Sequence, residues 1–98
     1  MKKISVSFAA DHPTAAGHFP GNPIIPGALL LAEVLRAVAQ AEGMALSACN
    51  VKAAKFLHPA RPGDDVEIEY KVSPQNVIDF SCAVGTVKVL SGVVSASA

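Results

Sequence analysis

The chain has 98 residues, 51% of them apolar, and its eight basic side chains balance its eight acidic ones. This length supports one small domain, 1–98, and leaves no room for a second. The balanced charge argues against non-specific binding to nucleic acid, and no apolar stretch approaches the roughly 20 residues that span a membrane. The N-terminal segment is too short and too mixed for a signal peptide, so we expect a cytoplasmic protein.

Hydrophobic patterning predicts a strand, a loop and a long helix in the first half of the chain. Apolar side chains alternate along 3–8, which is typical of a strand. The following segment, 9–26, is interrupted by proline and glycine and predicts an ordered loop, called the histidine loop below. From 27 to about 42 the apolar residues recur at helical spacing, and Gly43 predicts the end of that helix.

The second half of the chain reads as strands, over 50–57, 65–72, 77–84 and 86–96. A turn is expected over 59–64, between the first two of these strands. One early helix followed by a meander of strands indicates an α+β fold with an antiparallel sheet. The two cysteines, Cys49 and Cys82, have no metal-ligand spacing, and we expect both to be buried free thiols.

One histidine has a context that suggests chemistry. His18 lies in the loop that leads to Gly27, the first residue of the predicted helix. An imidazole beside a helix N-terminus, where backbone N–H groups point outward, suits proton removal next to a carbonyl. On this spacing alone, we would expect His18 to cap the loop or form a hydrogen bond within it, and Gly27 could be a hinge between loop and helix. His12 and His58 lack such a context, and we expect ordinary surface or turn residues.

Three short motifs occur in a fixed order: H-F-P-G at 18–21, P-G at 26–27 and R-P-G-D at 61–64. Together they resemble the 3-hydroxyacyl-[acyl-carrier-protein] dehydratases, hydroxymyristoyl/hydroxydecanoyl dehydratase-like enzymes. The resemblance covers about 7–98 and implies a hot-dog fold, an antiparallel sheet wrapped around one long central helix. It also implies a homodimer, or a dimer-based higher oligomer, with active sites at the interface. We expect the N-terminal strand and helix that are usual in the family to be missing from this chain.

The resemblance also implies a reaction and its residues. Neutral His18 would take a proton from C2 of a 3-hydroxyacyl thioester of acyl carrier protein or coenzyme A. The N–H of Gly27 would bind the oxyanion, and a carboxylic acid from the partner's helix would protonate the leaving 3-hydroxyl. We expect no metal and no cofactor. The product would be a trans-2-enoyl thioester in fatty-acid or related acyl biosynthesis.

The expected acid is displaced by one residue in this chain. The family carries it fourteen positions after the histidine, where this sequence has Ala32, with Glu33 next. Glu33 is the candidate acid if one extra residue is accommodated in the loop or as a π-bulge. Alternatively, Glu33 is a surface or interface residue that pairs with Arg36, one helical turn further on.

Binding of the acyl chain and its carrier is expected beside this site. The expected wall of the acyl slot consists of Phe19, Ile25, Leu30, Leu31 and Val34. A basic rim for an acidic carrier protein could be supplied by Lys52, Lys55 and Arg61.

Two other functions remain open beside the leading hypothesis of a dehydratase. An acyl-thioesterase would need a carboxylate or an activated water near the thioester, and Glu33 or Asp11 could serve. A non-catalytic module that binds an acyl chain or carrier protein, having lost its acid, is favoured by Ala32.

Overall fold

The computed structural model describes residues 1–8, 24–44 and 49–96. In these residues, five antiparallel strands form one sheet against which a helix packs. The strand order is β1-β3-β4-β5-β2, which puts β1 and β2 at the two edges. The predicted elements are confirmed, with their ends shifted by at most one residue. Their bounds are β1 (Lys2–Ser7), α1 (Gly27–Glu42), β2 (Cys49–Phe56), β3 (Asp65–Val72), β4 (Val77–Val84) and β5 (Val87–Ala96).

Helix α1 covers the sheet with one apolar stripe and ends at a glycine. Leu30, Val34 and Val38 recur at helical spacing and are buried in the core. Gly43 has a φ of 66° and, with the next residue, donates its N–H to carbonyls of the last turn. This left-handed conformation favours glycine, so the sequence stops the helix at the predicted position.

The inner face of the sheet follows from the alternation in the two central strands. In β3, Val66, Ile68 and Tyr70 are buried, whereas the residues between them point outward and are charged. The neighbouring β4 continues this apolar face with Ile78 and Phe80. Full burial of one valine, isoleucine or phenylalanine side chain stabilises the fold by roughly 1.5–3 kcal/mol. Burial of this apolar face therefore holds the helix on the sheet.

The two cysteines differ in burial. Cys82 is fully buried in β4, as predicted, and burial raises the pKa of its thiol to about 12. Cys49, expected to be buried as well, is only half-buried because it begins β2 at the edge of the sheet. Both are free thiols.

The C-terminal end of α1 is fixed to the sheet by a polar cluster. The Tyr70 hydroxyl donates to Oε2 of Glu42 at 2.6 Å, and Nζ of Lys2 lies 2.8 Å from the same oxygen. The hydrogen bond from Lys2, followed by that from Tyr70, lowers the pKa of the Glu42 carboxyl. Burial, and then the hydrogen bond to the Glu42 carboxylate, raises the pKa of Tyr70 to about 12.

Because Tyr70 is the only tyrosine, absorbance of the phenolate reports on this cluster directly. We expect a titration midpoint of about 12 in the folded protein and about 10 in denaturant. Stability contributed by Tyr70 is therefore complete below about pH 10 and is lost as the pH rises through 12. The Glu42→Gln substitution removes the anion and should lower the folded midpoint. A folded midpoint equal to that in denaturant would contradict the cluster.

Candidate active site

The R-P-G-D motif forms the tight turn between β2 and β3. The N–H of Asp64 donates to the carbonyl of Arg61 at 3.0 Å, and Oδ2 of Asp64 accepts from the N–H of Arg61 at 2.8 Å. Gly63 has a φ of 90°, as the third residue of a type II turn requires, and proline precedes it. Each residue of the motif therefore has a local role in closing this turn.

The same turn holds both described ends of the chain that flank the histidine loop. Phe8 donates its N–H to the carbonyl of Asp64 at 3.1 Å and accepts from the N–H of Gly63 at 2.7 Å. Ile25 donates its N–H to the carbonyl of Ala60 at 2.7 Å. The turn therefore connects the two described segments that flank the histidine loop, at Phe8 and at Ile25.

A cavity of about 360 Å³, called the Gly27 cavity after one of its lining residues, opens where these segments meet the N-terminal end of α1. Its inner end is formed by Ile25, Leu30 and Ala60, all at most 2% exposed. Its outer rim includes Phe56 and Leu57, which are 52% and 45% exposed. The full lining is Ile24, Ile25, Gly27, Leu30, Phe56, Leu57, His58, Pro59 and Ala60.

At the helix end in this cavity, neither the residue before the helix nor its first turn supplies a side-chain cap. Pro26, which precedes the helix, has no side-chain acceptor, and the first turn contains no acidic residue. The first intrahelical bond is from Leu30 N–H to the carbonyl of Pro26, so the N–H groups of Gly27 and the next two residues have no partner within the helix. An anion at this end would meet N–H donors that have no partner within the helix, and the positive end of the helix dipole.

Gly27 also makes room for an aromatic ring. A Cβ atom on Gly27 would lie 3.0 Å from Cε1 of Phe56, closer than carbon atoms normally pack. Glycine therefore lets the end of β2 approach the first turn of the helix, and this approach forms one side of the cavity.

Only part of the predicted acyl wall lines this cavity. Ile25 and Leu30 line the cavity, but Leu31 is half-buried outside its lining and Val34 is fully buried in the core. His18 and Phe19 lie outside the described residues, as do Asp11 and His12. All of these remain predictions as site residues.

The wall contributed by 56–60 was not anticipated. Sequence patterning assigned this stretch to a strand end and a turn, and the exposed His58 was expected to be an ordinary surface residue. It is exposed in a bend and also lines the cavity. The sequence signal that could have indicated this wall is the adjacent apolar pair Phe56 and Leu57 at the end of a predicted strand, and the structure shows both exposed.

Glu33 pairs with Arg36, as expected if it is a surface or interface residue. Helix α1 is α-helical throughout Gly27–Glu42, so the π-bulge considered for Glu33 is absent. The carboxylate of Glu33 accepts a hydrogen bond from the Arg36 guanidinium, as the spacing predicted. The other possibility, an extra residue in the histidine loop, lies outside the described residues.

Ala32, at the expected position of the acid, does not face the Gly27 cavity. It is exposed and lines a separate depression of about 350 Å³ with Leu35, Arg36, Ala39 and Cys49. An acid on this face of α1 therefore would not act in the cavity of its own chain.

The other site expectations concern charge, metal and membrane. Lys52, Lys55 and Arg61 are exposed, but none of them lines the Gly27 cavity. Among residues 1–8, 24–44 and 49–96, no three His, Cys, Asp or Glu side chains are grouped to hold a metal ion. Over the same residues, no helix has the length and apolar character to cross a bilayer.

Sequence comparison identifies related proteins. A family model described as ApeI-like, ApeI dehydratase, matches residues 2–93. The 3-hydroxyacyl-[acyl-carrier-protein] dehydratase FabZ of Latilactobacillus sakei is 42% identical over 75 residues, 69% of this chain and 51% of the relative. FabZ of Haemophilus influenzae strain PittEE is 37% identical over 84 residues, 74% of this chain and 51% of the relative. The chain spans about half the length of the curated relatives it matches.

Structure comparison confirms the hot-dog fold. The dehydratase heterocomplex ApeI:P from Xenorhabdus doucetiae superposes with a TM-score of 0.75 at 20% identity, covering 95% of this chain and 83% of that one. A point mutant of the fluoroacetyl-CoA-specific thioesterase FlK superposes with a TM-score of 0.65 at 12% identity, covering 97% and 87%. At these identities the likeness concerns the fold alone, which dehydratases and thioesterases share.

Proposed function

Because the chain belongs to the ApeI-like dehydratase family, we propose that it eliminates water from a 3-hydroxyacyl thioester to give a trans-2-enoyl thioester. The matched relatives are named as dehydratases of 3-hydroxyacyl-[acyl-carrier-protein]. The substrate is accordingly a thioester of acyl carrier protein or coenzyme A, in fatty-acid or related acyl biosynthesis. The proposed location is the cytoplasm, where such carriers occur.

The observation that carries this proposal is the helix end at Gly27, which no described side chain caps and which opens into an apolar cavity. The thioester carbonyl would accept from the N–H of Gly27, and the acyl chain would lie toward Ile25 and Leu30. His18 would take the C2 proton, and the C2–H electron pair would form the C2–C3 double bond. The C3–O bond would break with its electron pair going to oxygen, and the hydroxyl, protonated by the acid, would leave as water. Charge on the carbonyl oxygen is stabilised by the open helix end as it develops.

The acid is proposed to come from a second copy of the chain. Ala32 and Glu33 lie away from the cavity of their own chain, and a site shared across a homodimer would bring this face of a partner's helix to the histidine. Strand β2 is an edge with exposed apolar Val51 and Phe56. Such an edge suits pairing with a second copy.

Glu33 is the proposed donor to the leaving hydroxyl, and its ion pair with Arg36 must open for this role. The Glu33→Gln substitution keeps the shape of the side chain and removes the acidic proton. We expect dehydration to slow by about 10²–10⁴-fold, measured as initial rates of enoyl thioester formation. The same rate in Glu33→Gln as in the unchanged protein would remove Glu33 from the mechanism.

A second candidate function is a non-catalytic module that binds an acyl chain or its carrier. It is favoured by Ala32 at the position of the acid and by the engagement of Glu33 with Arg36. Incubation with a 3-hydroxyacyl thioester, followed by analysis of products, separates the candidates. A dehydratase forms enoyl thioester, a thioesterase releases free thiol, and a binding module leaves the substrate unchanged.

A further inference from the structure

The Gly27 cavity has a buried end and an exposed end. Ile25, Leu30 and Ala60 close the inner end, and Phe56 and Leu57 form the rim. An acyl chain gains most by entering the buried apolar end, since the free energy of transfer scales with the area removed from water. The part of the substrate beyond the sulfur would therefore leave across the rim.

His58 is the polar side chain at this rim. Among the described residues that line the cavity, it alone has a side chain that donates or accepts hydrogen bonds. No described side chain or backbone group forms a hydrogen bond or ion pair with its imidazole. Its backbone is held in place on one side, because the N–H of Leu57 donates to the carbonyl of Val89 at 2.9 Å.

Acyl thioesters of carrier protein and of coenzyme A share the same arm next to the sulfur. Two methylene groups separate the sulfur from an amide, which has one donor and one acceptor. With the thioester carbonyl at the N–H of Gly27 and the acyl chain inside, this amide would be the first polar group to reach the rim. A neutral imidazole can donate to its carbonyl from one ring nitrogen or accept from its N–H with the other.

Resting on the proposed function, we propose that His58 binds the carrier arm of the substrate through a hydrogen bond to the amide nearest the sulfur. It is a specificity-determining residue that distinguishes carrier thioesters from simple alkyl thioesters. Its role belongs to binding, and the chemical step at C2 and C3 does not require it.

The test compares two unreactive ligands, saturated acyl thioesters of N-acetylcysteamine, which has the amide, and of ethanethiol, which lacks it. The unchanged protein should bind the first about 3- to 10-fold more tightly, the worth of one hydrogen bond. The His58→Ala substitution should abolish this preference by weakening only the first ligand. His58→Gln should retain part of it, and Gln75→Ala, at an exposed turn position away from the cavity, should change nothing.

If His58→Ala weakens the binding of both ligands equally, or weakens the binding of neither, the proposed role of His58 is overturned. These dissociation constants need no turnover, so the result is independent of whether the protein dehydrates a 3-hydroxyacyl thioester. In turnover, the same substitution should raise KM for carrier thioesters and leave kcat unchanged. A fall in kcat for substrates with and without the amide alike would make His58 part of the chemistry and overturn the proposal. Comparing KM for thioesters of coenzyme A and of acyl carrier protein then identifies which carrier is preferred.

Discussion

The His18→Ala substitution is expected to lower the rate of dehydration by about 10²–10⁴-fold, the usual worth of a general base. The proton on C2 is weakly acidic, and without the imidazole only water remains to remove it. Because the oxyanion would still bind at the helix end, some activity above the uncatalysed rate should persist. The measurement is the initial rate of enoyl thioester formation at saturating substrate.

His12 provides the matched control for this substitution. It lies in the same loop, six residues earlier, and is not part of the H-F-P-G motif. His12→Ala is expected to keep the activity of the unchanged protein. Equal losses in the two variants would indicate that the loop has been disturbed as a whole, and an unaffected His18→Ala would exclude His18 as the base.

The second large effect is expected from Gly27→Val. A Cβ atom at this position meets the Phe56 ring at 3.0 Å, and the two methyl groups of valine would project further into the cavity. Either the ring moves or the thioester is displaced from the N–H donors. A displacement of about 1 Å costs on the order of 10²-fold in rate, so kcat/KM should fall by about that factor.

Two further variants distinguish crowding from unfolding. Gly27→Ala adds only the Cβ atom, and the half-exposed ring can yield by a few tenths of an ångström, so its loss should be below about tenfold. Residue 27 is helical, so neither substitution strains the backbone, and the unfolding temperature of Gly27→Ala should not fall. Adding Phe56→Ala to Gly27→Val should restore part of the rate. Full activity of Gly27→Val would show that the thioester does not bind against Gly27.

Local patterns predicted most of the fold. Gly43 could be identified as the stop of α1 because a left-handed residue after a helix is a local requirement. The alternation of β3 gave its bounds and its buried face, since side chains of a strand point to opposite sides in turn. The R-P-G-D turn depends on its own residues, and it was recognisable for the same reason.

Features that depend on distant contacts were not predictable in this way. The burial of Cys49 depends on which strand lies at the edge of the sheet, and periodicity within β2 contains no information on that order. The wall formed by Phe56 and His58 arises because the end of β2 approaches Gly27, 29 residues or more away in sequence. For Glu33, the pair with Arg36 followed from helical spacing, whereas a role in catalysis depends on a partner chain.

We propose that the protein adds and removes water across C2 and C3 of an acyl thioester. The most direct measurement is the reverse reaction, hydration of a trans-2-enoyl thioester in deuterium oxide, followed by mass spectrometry. We predict a 3-hydroxyacyl thioester with one deuterium on C2, delivered by the residue that removes the C2 proton in the forward direction. Recovery of unchanged enoyl thioester would contradict the assignment of a dehydratase. So would release of free thiol with no deuterium on C2 of the acyl product.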